Sequence, residues 1–189
     1  MKKGTIILIA VIAVIAIIAF SCVGTYNSLV AQRENVDTQY SAIETQLQRR
    51  IDLIPNIVNT VKGYAAHESE VFGAVSDARA RLAGASTKEE AAEADSELTS
   101  AVSRLLMIAE NYPDLKADTQ FTALTDELAG TENRIAVARK DYNDAAKTYN
   151  TQIKTFPKVI IANLFGFEKA EYFEAAEGAK SAPQVNFLE

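Results

Sequence analysis

Residues 5–23 read TIILIAVIAVIAIIAFSCV, a run without one charged side chain in which only Thr5 and Ser21 are clearly polar. No other feature narrows the possible folds as much, because such a stretch must lie in lipid or in a large protein interior. As a helix it rises roughly 28 Å, close to the hydrocarbon thickness of a bilayer. It is longer than the apolar core of a secretory signal, about 7–15 residues, and no A-x-A site follows it. The reading is therefore an uncleaved spanning helix. Lys2 and Lys3 precede it, whereas the first basic residue after it is Arg33, with Glu34 and Asp37 close by. The positive flank stays in the cytoplasm, which predicts an N-terminus inside and everything beyond Gly24 outside. Tyr26 then falls at headgroup level, a favoured place for aromatic rings.

Two further features of the span bear on its neighbours. Ala10, Ala13, Ala16 and Ala19 form a small-residue ridge of the kind that lets membrane helices pack closely. Ala19-Phe20-Ser21-Cys22 loosely resembles a lipobox, with Phe20 and Ala19 departing from the pattern. Lipidation of Cys22 would replace a spanning anchor by an attached one.

From Leu29 onward the chain is periodic. Alternating steps of four and three pass through Arg33, Val36, Tyr40, Ile43, Leu47, Arg50, Ile54, Ile57, Val61, Tyr64, Glu68, Val71, Val75, Ala78 and Leu82. The mean step is that of left-handed helix packing. Residues 83–87 read as a turn, with Thr87 and Glu90 spaced for a capping box. A second seam runs from Ala91 to Tyr112 and ends at Pro113. A third runs from Phe121 to Phe156, keeps its phase through Gly130, and ends at Pro157.

Pro55 is the difficult position. The seam continues through it, but an interior proline costs about 3 kcal/mol or more. Proline is tolerated in a first turn, and Asp52 is a good N-cap. This predicts a corner at residues 50–52 and four helices at roughly 26–50, 53–82, 88–112 and 115–156. The expected fold is all-α: a single transmembrane helix followed by an antiparallel up-and-down four-helix bundle with long heptad-patterned helices. The corresponding division is residues 1–24 as cytoplasmic N-terminus and anchor, 25–157 as bundle, and 158–189 as an aromatic-rich C-terminal segment.

Composition removes several chemistries. One Cys permits no disulfide within the chain, and one His with one Cys makes no zinc site without carboxylates or another chain. His67-Glu68 opens like a zinc-protease motif, but the fifth position is Val71. No nucleophile–base–orienter set and no Gly-rich phosphate loop occur, so the reading is a protein without enzymatic activity and without a cofactor or metal. With 19 basic and 25 acidic side chains the net charge is −6, which disfavours nucleic acid as a partner. Most of that charge falls between residues 83 and 115, read as a solvated helix face.

The motifs met so far carry a resemblance. Tyr26-Asn27-Ser28-Leu29-Val30 follows the span, and Gln46-Leu47-Gln48-Arg49-Arg50-Ile51-Asp52-Leu53-Ile54-Pro55-Asn56 comes next. Val61-Lys62-Gly63-Tyr64-Ala65-Ala66-His67-Glu68, then Glu132-Asn133-Arg134-Ile135-Ala136-Val137-Ala138-Arg139, Tyr142-Asn143 and Phe165-Gly166-Phe167 complete the set. In order and spacing the chain resembles the LemA family over nearly its whole length. The resemblance implies an N-terminal anchor, an antiparallel four-helix bundle and no established enzymatic activity. It also implies a membrane protease or other envelope protein as a partner.

Four residues are candidates for partner docking: Arg49 and Arg50 at the expected corner, Asp52 as its cap, and His67 as the one histidine of the chain. The alternative for the arginines is capping of helix carbonyls at a C-terminus. Tyr26, Phe165 and Phe167 are candidates for a membrane-proximal contact. A fourth helix of about 42 residues spans about 63 Å and overshoots a third of about 37 Å. In an up-and-down bundle that excess points at the bilayer and brings residues 159–167 to residues 20–30. The aromatic tail, Phe187 included, would otherwise dock on its own bundle. The functional expectation is a single-pass cell-membrane protein with an extracytoplasmic bundle. It would be a structural or adaptor component of the cell envelope, self-assembling as a homo-oligomer or docking a membrane partner such as a protease. The alternatives are a sensor ectodomain signalling through a partner and a lipid-anchored lipoprotein.

Overall fold

A computed structural model describes residues 3–173; Lys2 and Phe187, used above, lie outside the described residues. The protein is all-helical, with no strand among the described residues. Its helices are α1 (Lys3–Tyr64), α2 (Ser69–Gly84), α3 (Lys88–Ala109), a single turn α4 (Pro113–Lys116), α5 (Thr119–Gln152) and α6 (Lys158–Phe165). Thr87 caps α3 in the expected manner: its side chain accepts from the Glu90 N–H while the Glu90 carboxylate accepts from the Thr87 N–H. Helix α5 runs through Gly130 without a break. Asp118 opens it, Oδ1 accepting from the N–H groups of Gln120 and Phe121.

The corner expected at residues 50–52 does not exist. Helix α1 is continuous through Pro55, and Asp52 accepts a bond from Gln48 Nε2 one turn back instead of capping anything. The physical reason is local. Proline at position 55 deprives the Ile51 carbonyl of its helical donor. Arg79 of α2 takes that donor's place, Nε to Ile51 O at 2.8 Å. Meanwhile Leu47, Ile51, Ile54, Ile57, Val58 and Val61 stay buried along one stripe. The carbonyl is satisfied and the apolar stripe is uninterrupted, so the chain has no reason to turn there.

It turns instead at residues 65–68. Burial passes from Val61 through Ala65 to Phe72, skips the heptad positions Tyr64 and Glu68, and rejoins the seam at Val75, Ala78 and Leu82. Gly63, a weak helix former, lies in the last turn of α1, and Lys62 there suits the negative end of the helix dipole. Tyr64 leaves the core and donates its hydroxyl to Asp118 Oδ2 at 2.8 Å. The helices expected at 26–50 and 53–82 are therefore replaced by α1, ending at Tyr64, and α2.

The described residues form two compact units. One comprises 3–41 with 140–172; the other comprises 42–139 with 173. The core of the first is built on Leu29, Val36, Tyr142, Ala146, Tyr149, Ile153 and Ile161. In the second, α2 packs on α3, and Ile54, Val75, Leu98, Leu105, Leu115 and Leu128 are among the buried residues. Within α1, no residue from 6 to 23 is fully buried, and large side chains from Ile6 to Val23 are about half exposed or more.

Candidate functional site

The first unit holds the site. Helix α5 ends at Gln152, and the chain turns through residues 153–157 into α6. Gly166 then stops α6 with φ +70°, in the left-handed region where a side chain is strained, and the Phe167 N–H returns to the Ala162 carbonyl at 2.9 Å. That reversal sets two rings against a third. The Phe165 ring lies 4.8 Å from Tyr26 in a tilted arrangement, and Phe167 lies 5.6 Å from it edge-on. Both are separations at which aromatic pairs attract.

The chain after Gly166 has no regular secondary structure through Phe173 and is held by α5 side chains. Tyr149 donates to the Glu168 carbonyl at 2.9 Å, and Tyr142 donates to the Glu171 carbonyl at 2.8 Å. Asn150, buried, pairs twice with Ala170: Nδ2 donates to its carbonyl and Oδ1 accepts its N–H, both at 2.8 Å. One side-chain amide here satisfies both backbone groups of a residue outside any helix. Burial pushes the Tyr149 phenol pKa up, against the opposing pull of Arg33, whose guanidinium lies 5.8 Å from the ring centre. Tyr142 and Tyr149 were visible as seam residues seven apart; buried tyrosines need a hydroxyl partner, which was the available signal for a docked segment. Asn150 and the stop at Gly166 were missed.

The proposed docking residues are scattered. Arg50 is buried and offers no surface: Nη1 bonds Asp95 Oδ1 at 2.7 Å, while Arg139 Nη2 takes Oδ2 of the same carboxylate at 2.9 Å. Asp95 thus ties α1, α3 and α5 together inside the second unit, so Arg50 neither caps a helix end nor faces a partner. Arg49 is exposed and paired with Glu127 at 2.6 Å, which also holds Arg134 at 2.7 Å. Asp52 is exposed on α1, and His67 is exposed in the turn after it. Cys22 is a free thiol, half-buried, inside the continuous α1. Among the described residues no three His, Cys, Asp or Glu side chains converge as metal ligands.

Sequence comparison gives related proteins. Magnetosome protein MamQ 2 of Paramagnetospirillum magneticum is 30% identical over 175 residues, 79% of this chain and 64% of its own length. Magnetosome protein MamQ of Magnetospirillum gryphiswaldense is 27% identical over 201 residues, 92% of this chain and 74% of its own. Protein LemA of Metamycoplasma hominis is 26% identical over 159 residues, 84% and 73% of the two chains. The chain thus spans just under two thirds of the first of these relatives. The LemA family model matches residues 39–187, which include the Arg50–Asp95–Arg139 triad and the clamp on residues 167–172. With most of its length inside that match, the chain belongs to the LemA family.

Proposed function

We propose that this protein is a membrane-anchored scaffold or adaptor of the bacterial cell envelope. It is held by residues 5–23, with its N-terminus in the cytoplasm and its helical units outside. There it assembles with itself or docks a membrane partner such as a protease. One observation carries the reading: α1 is apolar and exposed on every side up to Val23, and from Leu29 the same helix buries only a stripe. An all-round apolar helix surface belongs in lipid, and a striped one belongs in a protein core. Kinship with magnetosome proteins supports a structural rather than a catalytic role.

The test uses the chain's one cysteine. In a Cys22→Ser background, Ala123→Cys should react with an impermeant maleimide on intact cells, and the protein should stay in the membrane pellet after alkaline extraction. Labelling only after lysis refutes the orientation, and release by alkali refutes the anchor. Intact mass of the unsubstituted protein decides on lipidation, since processing at Cys22 removes residues 1–21. Crosslinking in native membranes should yield species larger than the monomer; their absence, with elution at monomer mass, refutes the scaffold. The sensor reading draws its support from α1, a single helix from Lys3 to Tyr64.

A further inference from the structure

We propose that α6 is a second membrane contact: it lies in the plane of the interface from which α1 emerges, with Ile160 and Leu164 turned into the lipid. The inference rests on the anchor reading above and deepens it.

Exposure comes first. Phe156, Ile160, Leu164 and Phe165 are 77, 57, 73 and 57% exposed, in and just before a helix of eight residues. Ile160 and Leu164 are one turn apart and share a face. The other side of α6 is already committed to the first unit through Ile161 and Ala162, both buried. A helix apolar on both sides, with one side unsatisfied by its own protein, marks a contact surface.

Position then selects the occupant. Phe165 and Phe167 pack on Tyr26, only three residues beyond Val23, where the apolar run of α1 ends. Three residues of helix rise about 4.5 Å, so α6 stands at the depth of the headgroups if α1 spans. The helix is about 12 Å long and far short of the roughly 20 residues needed to cross. Residues 159–167 carry no charge, while Lys154 and Lys158 precede them and Glu168 and Lys169 follow. Uncharged aliphatic and aromatic residues between flanking lysines suit a segment lying at the boundary, because lysine stems reach back to water. The clamp by Tyr142, Tyr149 and Asn150 holds the chain after α6, so the exposed face is presented in a set orientation.

The chain has no tryptophan, so single substitutions report cleanly. Leu164→Trp, Ile160→Trp, Ile12→Trp and Val137→Trp proteins would be reconstituted separately into vesicles of phosphatidylethanolamine and phosphatidylglycerol containing brominated lipid. Ile12→Trp reports the span, and Val137→Trp, on an exposed part of α5, reports water. Leu164→Trp and Ile160→Trp should emit to the blue of Val137→Trp and be quenched most by bromines near the headgroup end of the acyl chain. Ile12→Trp should be quenched most by bromines near the chain terminus. Water-like, unquenched emission from both α6 variants, with Ile12→Trp deeply quenched, overturns the inference and leaves the anchor standing. Blue-shifted but unquenched emission means that protein, such as a second copy, covers the face, and also overturns it. An unquenched Ile12→Trp removes the anchor and the inference together.

Discussion

Replacing Arg79 tests whether its guanidinium is what lets α1 pass through Pro55. Arg79→Ala leaves the Ile51 carbonyl without a donor in a half-buried setting. An unsatisfied buried acceptor costs about 1–3 kcal/mol, and partial exposure of Arg79 places the loss at about 1–2 kcal/mol. In the Pro55→Ala background the same carbonyl regains its helical N–H from residue 55, so Arg79→Ala should then cost only about 0.5 kcal/mol or less, the effect of a surface change. The coupling between the two positions is therefore expected at about 1 kcal/mol, against about 0.3–0.5 kcal/mol for independent sites. Pro55→Ala alone should stabilise, because proline in a helix interior is disfavoured by about 3 kcal/mol and Arg79 recovers only part of this. The assay is urea unfolding of the four proteins of the cycle in detergent micelles, followed by helical circular dichroism. Additive losses would show that Arg79 stabilises by other contacts and that the account of the unbroken helix is wrong. A destabilising Pro55→Ala would show that proline is needed for a kink that packing exploits.

Asp95→Ala strands the buried Arg50 guanidinium and should cost about 3–5 kcal/mol, whereas Arg139→Ala, at a more exposed and solvent-screened partner, should cost about 1 kcal/mol. Equal losses in denaturant unfolding would contradict the burial difference. Asn150→Ala removes both bonds to Ala170 and should cost about 2–4 kcal/mol, with faster amide exchange confined to residues 167–172; unchanged exchange there would mean the segment is held by packing alone. The hydrogen bond from Tyr64, with further bonds from the Phe121 and Gln120 N–H groups, holds the Asp118 carboxyl below its ordinary pKa. A depressed acid stabilises at pH above its unfolded value and loses that contribution as pH falls through the folded one, so the start of α5 should loosen in acid. The carboxyl midpoint by carbon-13 NMR should rise in Tyr64→Phe, and a midpoint that stays put would remove Tyr64 as the leading cause.

The all-helical class, the apolar run, the capping box at Thr87 and the continuity of α5 through Gly130 were legible in the sequence because each depends on neighbours within one or two turns. Periodicity, a cap or a charge-free stretch is a local property, and reading along the chain recovers it. The contact of Phe165 and Phe167 with Tyr26 was also anticipated, though by counting helices that do not exist as drawn. The anticipated proximity therefore agrees with the structure while its derivation does not.

What tertiary structure alone decided are the choices in which a group's partner lies far away in the chain. Pro55 looked like a helix start because its cost is local, whereas the compensating donor, Arg79, sits 24 residues on and is brought over by α2. Arg50 looked like a cation at an exposed helix corner; Asp95, 45 residues away, holds it in the interior instead. Asn150 drew no notice in the sequence, because its partner, the backbone of Ala170, lies 20 residues on. A buried polar group calls for a partner, but the sequence does not say which, and that choice fixed the corner, the charge triad and the clamp on residues 167–172.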